Sequence, residues 1–175
     1  MRAFELVARS VDQTPLPGRL NVFDIAAFSR GEINLSLGDP DGFRAHLSRS
    51  RAVVDDALTE GKTIYGVTTG FGASVTNRVD PQVATQLARN LYRYHGCGTG
   101  ALLSPQAGRA VALVRAMSLC QGVSGVRPLL VERLVTLLNS GVAPAIPEEG
   151  SVGASSDLTP LSNLVSMLAG EREVY

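Results

Sequence analysis

A phenol, an imidazole and a pair of adjacent serines stand in three glycine-bearing polar segments: Tyr65 to Gly72, His95 to Gly100, and Gly150 to Asp157. Segments of this kind, set among helical stretches, are where chemistry usually resides. Tyr65 offers a hydroxyl, His95 offers a ring that can donate or accept a hydrogen bond, and Ser155 and Ser156 carry β-hydroxyls. Taken one at a time, each has an ordinary structural use. Glycine permits left-handed backbone and close packing. A lone tyrosine is commonly a half-buried aromatic with its hydroxyl on a backbone group, and a histidine closing a helix suits the negative end of the dipole. His46 lies in mid-helix beside Leu47 and receives no role. The spacing Gly96-x-Gly98-x-Gly100 follows a helix instead of a strand and lacks the last glycine of a dinucleotide fingerprint, and no Gly-Lys-Ser/Thr of a P-loop occurs.

The elements that must position these groups are mostly helical. Residues 1 to 41 read as a loose, turn-rich start broken by Pro15, Pro17, Gly18 and the run Gly38 to Gly42, with Asn21 to Phe28 fitting either a short strand or two helical turns. From Gly42 to Gly61 a helix is predicted, with Phe43, His46, Leu47, Val53, Val54, Ala57 and Leu58 on one side. The β-branched run Lys62 to Thr69 reads as a short strand or extended segment. Further helices are expected from Pro81 to Tyr94 on Val83, Leu87, Leu91 and Tyr94, and from the cap Ser104 to Cys120 with Ala107, Val111, Val114 and Met117 inward. Another should run from Pro128 to Leu138, and a last one from about Asp157 to Gly170 should pack Leu161, Leu164, Val165 and Leu168. The class is mainly α with a few short strands.

Composition excludes several functions. With 16 basic against 16 acidic residues, the chain of 175 residues has no electrostatic footprint for nucleic acid or anionic lipid. Cys97 and Cys120 form no CxxC pair and no zinc or iron–sulfur spacing, so no metal is expected. No secretory signal and no membrane-spanning run is evident, which makes a reducing cytoplasm the expected compartment.

In combination the three segments say more. Tyr65-Gly66-Val67-Thr68-Thr69-Gly70-Phe71-Gly72 resembles the first active-site loop of the aromatic amino acid ammonia-lyases, the group of histidine, phenylalanine and tyrosine ammonia-lyases and the related aminomutases. Gln86-x-x-x-Asn90-Leu91 followed by His95-Gly96-x-Gly98 resembles the second. Gly153-Ala154-Ser155-x-Asp157-Leu158-x-Pro160-Leu161 resembles the cofactor-forming loop. Order and spacing of all three agree, and the similarity runs from about Ile33 onward.

The resemblance implies a 4-methylidene-imidazol-5-one made from Ala154, Ser155 and Ser156: the amide nitrogen of residue 156 attacks the carbonyl of Ala154, whose oxygen leaves as water, and Ser155 loses a second water to leave an exocyclic methylene. Ser156 departs from the family, where glycine is usual; its backbone nitrogen is the atom needed, but its Cβ restricts the turn, a restriction that costs on the order of 1 to 3 kcal/mol. The helix that follows would aim its N-terminal N–H groups at the ring oxygen. Tyr65 matches the family's base, Gly72 a position lining the substrate channel, and Tyr94 and His95 the pair governing substrate choice. These imply elimination of ammonia from an aromatic L-amino acid, histidine slightly ahead of tyrosine and phenylalanine third. An aminomutase would use the same residues, and a helical interaction module with a decayed site is the alternative from another class. The partners implied are a small amino acid and further copies of the chain in a homotetramer whose sites draw on several subunits, with no nucleic acid and no membrane. Family members are far longer, so residues 1–175 are expected to be the N-terminal, cofactor-forming part of an enzyme and the beginning of its central helical bundle, inactive alone and exposing apolar helix faces.

Overall fold

The computed structural model describes residues 6–10, 20–80, 82–151 and 158–175. Strand β1 (Leu6–Ser10) pairs antiparallel with β2 (Ile33–Leu37), Leu6 opposite Leu37 and Ser10 opposite Ile33, with α1 (Val22–Ser29) between them. Among the described residues the expected loose start is therefore corrected to a strand, a helix and a strand, while Pro15, Pro17 and Gly18 lie outside the described residues. Asn21 decides the helical option for the next residues: its side chain accepts from the Phe23 and Asp24 N–H groups while Asp24 reaches back to the Asn21 N–H, a capping box worth about 1 kcal/mol.

Helix α2 (Pro40–Thr59) opens on Asp39, whose carboxylate accepts from the Gly42 N–H at 3.0 Å. Only its first half reaches the interior, through Phe43 and Leu47, whereas Val53 on the expected inner side is 69% exposed. Residues 62–69 do not form the expected strand. Gly66 has φ +72°, and the hydroxyls of Thr68 and Thr69 accept from the Ile64 and Gly66 N–H groups, so local side-chain bonds take the place of a ladder. Helix α3 (Ala84–His95) starts later than the periodicity implied, and Tyr94 projects from it into solvent. The proposed starting residue, Pro81, lies outside the described residues.

Helices α4 (Pro105–Cys120), α5 (Pro128–Asn139) and α6 (Leu158–Leu168) fall close to their expected bounds. Ser104 caps α4 by accepting from the Ala107 N–H, and Gly141 and Gly170, both with positive φ, follow α5 and α6. Strand β3 (Thr99–Leu102), before α4, pairs antiparallel with β4 (Pro147–Glu149), between α5 and α6, a two-stranded ribbon that periodicity did not reveal. The core gathers Phe28 of α1, Leu35 of β2, Phe43 and Leu47 of α2, Leu113, Ala116 and Leu119 of α4, Val131, Leu134 and Leu138 of α5, and Leu164 and Met167 of α6. Asn139 completes it by accepting from the Leu35 N–H and donating to the Leu35 carbonyl, both at 2.8 Å.

The inward faces of two helices differ from expectation. On α4 the buried residues are Gly108, Ala112, Leu113, Ala116, Leu119 and Cys120, because small side chains let neighbouring elements approach closely; Val114 is 51% exposed. On α6 the buried set is Thr159, Ser162, Asn163, Leu164, Ser166 and Met167, while Leu161 and Leu168 are half-buried and Val165 is exposed. Apolar surface is thus left outward, as expected, in a groove of about 380 Å³ that includes Leu130, Leu161, Val165 and Leu168. Gly108 gives a direct check. Glycine to alanine in a helix interior ordinarily gains about 1 kcal/mol, but a Cβ here would lie 2.5 Å from the Pro144 carbonyl oxygen. Gly108→Ala should therefore destabilise, by about 1 to 3 kcal/mol, measured as a lowered urea midpoint.

Candidate active site

The first segment is a self-contained loop. Thr69 is buried and donates to the Gly70 carbonyl, the Gly70 N–H donates to the Asn77 carbonyl, and the Val79 N–H donates to the Thr68 carbonyl. These bonds present Tyr65 on the outside, 61% exposed, with its ring edge-on to Phe71 at 6.4 Å. Gly72 has φ +54°, a conformation that suits glycine, and its N–H donates to the Tyr65 hydroxyl oxygen at 3.0 Å. The two residues singled out in this loop therefore meet, and the backbone fixes where the phenol oxygen stands.

The second segment closes α3. Tyr94 is 77% exposed, His95 is half-buried, and their rings meet edge to face at 5.0 Å. Arg89 and Arg93, one turn apart on α3, both donate to the Glu171 carboxylate at 2.8 to 3.1 Å. Arg93 first, then Arg89, holds the Glu171 carboxyl down at about 2. Just beyond His95 the chain is pressed close to its surroundings: a Cβ on Gly98 would lie 2.8 Å from the Glu149 carbonyl oxygen and 2.9 Å from Thr159 Cγ2. Only glycine fits there.

Thr159 is the residue to which the third segment is tied. The Ser151 N–H donates to Thr159 Oγ1 at 3.0 Å and the Thr159 N–H donates to the Ser151 carbonyl at 3.2 Å, so the chain is bonded to itself at these two positions on either side of the third segment. Asn163, one turn on, donates to the Thr159 carbonyl at 2.9 Å. Ala154, Ser155 and Ser156 lie outside the described residues. The structure thus brings the second segment against the base of the third, through Gly98 and Thr159. Among the described residues, no hydrogen bond, ion pair or ring contact joins residues 62–80 to either of them. Thr159 and Glu171 had received no role from the sequence. The signals available were a threonine inside the Asp-Leu-Thr-Pro-Leu run and a charged tail directly after a helix stop. Cys120, by contrast, is a core residue whose thiol burial pushes up to about 12, which makes it inert.

Residues 20–175 match the family described as aromatic amino acid lyase. The chain belongs to that family. Histidine ammonia-lyase of Geobacillus thermodenitrificans is 48% identical over 126 residues, which cover 72% of this chain and 25% of that enzyme. Among solved structures, tyrosine aminomutase from Streptomyces globisporus superposes with a TM-score of 0.81 at 36% identity, over 89% of this chain and 28% of the aminomutase. Histidine ammonia-lyase from Trypanosoma cruzi superposes with a TM-score of 0.77 at 32% identity, over 89% of this chain and 29% of the other. This aromatic amino acid lyase chain therefore spans between a quarter and a third of the length of such relatives. Among its described residues no helix is long and apolar enough to cross a membrane.

The charge clamp between α3 and residue 171 has a pH signature. A carboxyl held at about 2 against an ordinary 4.5 contributes stability that is complete above 4.5 and is lost as the pH falls toward 2. Protection factors for amide exchange in the last turns of α3, with the intrinsic pH dependence divided out, should fall across that window, and Glu171→Gln should already show the low protection at pH 6 with no further loss down to pH 2.

Proposed function

We propose that the complete polypeptide carrying this chain eliminates ammonia from an aromatic L-amino acid, histidine ahead of tyrosine, to give an α,β-unsaturated acid. The observation that supports it most directly is the packing of Gly98 on Thr159, because Gly98 belongs to the His95 segment and Thr159 follows Ala154, Ser155 and Ser156 closely in sequence.

The residues fit a self-formed 4-methylidene-imidazol-5-one. Ala154 is small enough for a backbone folded on itself, Ser155 has the β-hydroxyl that leaves, and the flanking residues Ser151 and Thr159 are bonded to each other. Ser156 retains the backbone nitrogen the ring needs. Once formed, that group supplies an electrophilic methylene for the substrate amine. The remaining work falls to the chain's own side chains. His95 and Tyr94, on adjacent positions at the end of α3, offer hydrogen-bond partners for an imidazole or a phenol. Tyr65 serves as the base for the β-proton, its oxygen placed by the Gly72 N–H, and Gly72 leaves open the path beside it. Since Tyr65 is exposed and no hydrogen bond among the described residues joins residues 62–80 to the His95 segment, Tyr65 reaches a site shared with another subunit of a cytoplasmic homotetramer. The apolar groove on α4, α5 and α6 is covered in that assembly.

The likeness to tyrosine aminomutase supports a second reading, in which the ammonia is returned to the β-carbon by the same residues. Three measurements separate these possibilities from a decayed site. The peptide spanning Ala154 to Ser156 should be lighter than its sequence by two waters; an unmodified mass refutes the cofactor. Urocanate should form faster than p-coumarate or cinnamate, and a β-amino acid product would instead establish the mutase. Tyr65→Phe should lower kcat by at least about 100-fold, the scale of a lost general base, with the cofactor mass unchanged.

A further inference from the structure

Residues 171 and 172, directly beyond α6, grip the end of α3 through two separate contacts. Glu171 takes Arg89 and Arg93. The Arg172 guanidinium donates to the Gly96 carbonyl, the first residue after α3. A Cβ on Gly96 would lie 2.8 Å from Arg172 Nη2, so the guanidinium occupies the space that a side chain there would need. The oxygens of Glu171 accept from Arg89 and Arg93, and Arg172 donates to the Gly96 carbonyl instead. The three guanidiniums bring positive charge to the C-terminal end of α3, where the helix carbonyls are partly negative. Two residues on, Gly98 is lodged between Glu149 and Thr159. The stretch that directs His95 is therefore held at two points, and Arg172 is the nearer one.

We propose that Arg172 is a positioning residue: by holding the Gly96 carbonyl it fixes the last turn of α3 and the stance of His95, and through His95 it sets the choice between amino acids. The selectivity component rests on the reading of His95 as a substrate-binding residue. Arg172 itself touches no reacting atom.

The test uses the complete polypeptide with Arg172→Met, which keeps the aliphatic stem and removes the donors. Amide exchange at Gly96 to Gly98 should speed up about tenfold, the scale of one charge-assisted hydrogen bond. The ratio of kcat/KM for histidine to that for tyrosine should shift by a similar factor, carried by KM with kcat changed less than about twofold. The melting temperature should stay within about 2 °C, and Arg172→Lys should restore most of both effects. Arg172→Gln is read in the same way if the methionine variant does not fold. Unchanged exchange at residues 96–98 overturns the anchoring, and faster exchange with an unchanged ratio overturns the link to selectivity. Should the parent turn over no aromatic amino acid, the functional reading falls and selectivity with it, while the exchange rates still decide whether Arg172 anchors Gly96.

Discussion

Two reciprocal hydrogen bonds between Ser151 and Thr159 hold the site region together. Thr159 is buried, so an unpaired hydroxyl there would cost about 1 to 3 kcal/mol, and that penalty enforces the closure more strongly than the modest net gain of each bond. Everything nearby accommodates it. Gly98 lacks a side chain because Thr159 Cγ2 occupies the space, β4 delivers Glu149 and Ser151 to its side, and Asn163 takes its carbonyl one helical turn later. The Gly98 contact joins segments that are at least fifty residues apart in sequence, as the pairing of Thr99 with Glu149 also does.

This explains the small polar residues among those α6 buries. Thr159, Ser162, Asn163 and Ser166 are buried along with the core residues Leu164 and Met167, while Leu161, Val165 and Leu168 line a groove. A larger side chain in place of Thr159 would not fit against Gly98. Close approach is the constraint, and surface left apolar on the other side is its corollary.

Helix ends were legible in the sequence because their signals are chemical and local: Ser104 with Pro105, Gly141, and Gly170 mark termini through hydrogen bonding and positive φ. Helix faces were less so. A hydrophobic count favours Val111 and Val114 over Gly108 and Ala112, yet backbone proximity to Pro144 and the neighbouring helices selects the small residues. Residues 62–69 carry the composition of a strand, but Thr68 and Thr69 spend their hydroxyls on local N–H groups, an outcome that composition does not encode. For the site, the three motifs and their order were visible, and the family match agrees with them. The supporting residues were not, because Thr159, Glu171 and Arg172 acquire meaning only from partners 8 to 82 positions distant.

The side chain of Asn139 bears on how the chain acquires its shape. Both backbone groups of Leu35 are satisfied by a residue 104 positions later, so β2 lacks its final partner until α5 has been made. At a synthesis rate of about 5 to 20 residues per second, that interval lasts roughly 5 to 20 s. During it, β1 and β2 form a two-stranded ribbon of marginal stability, the state in which strand edges are most open to wrong pairing. Asn139 thus acts as a late latch, coupling the first ordered unit of the chain to the completion of its fifth helix.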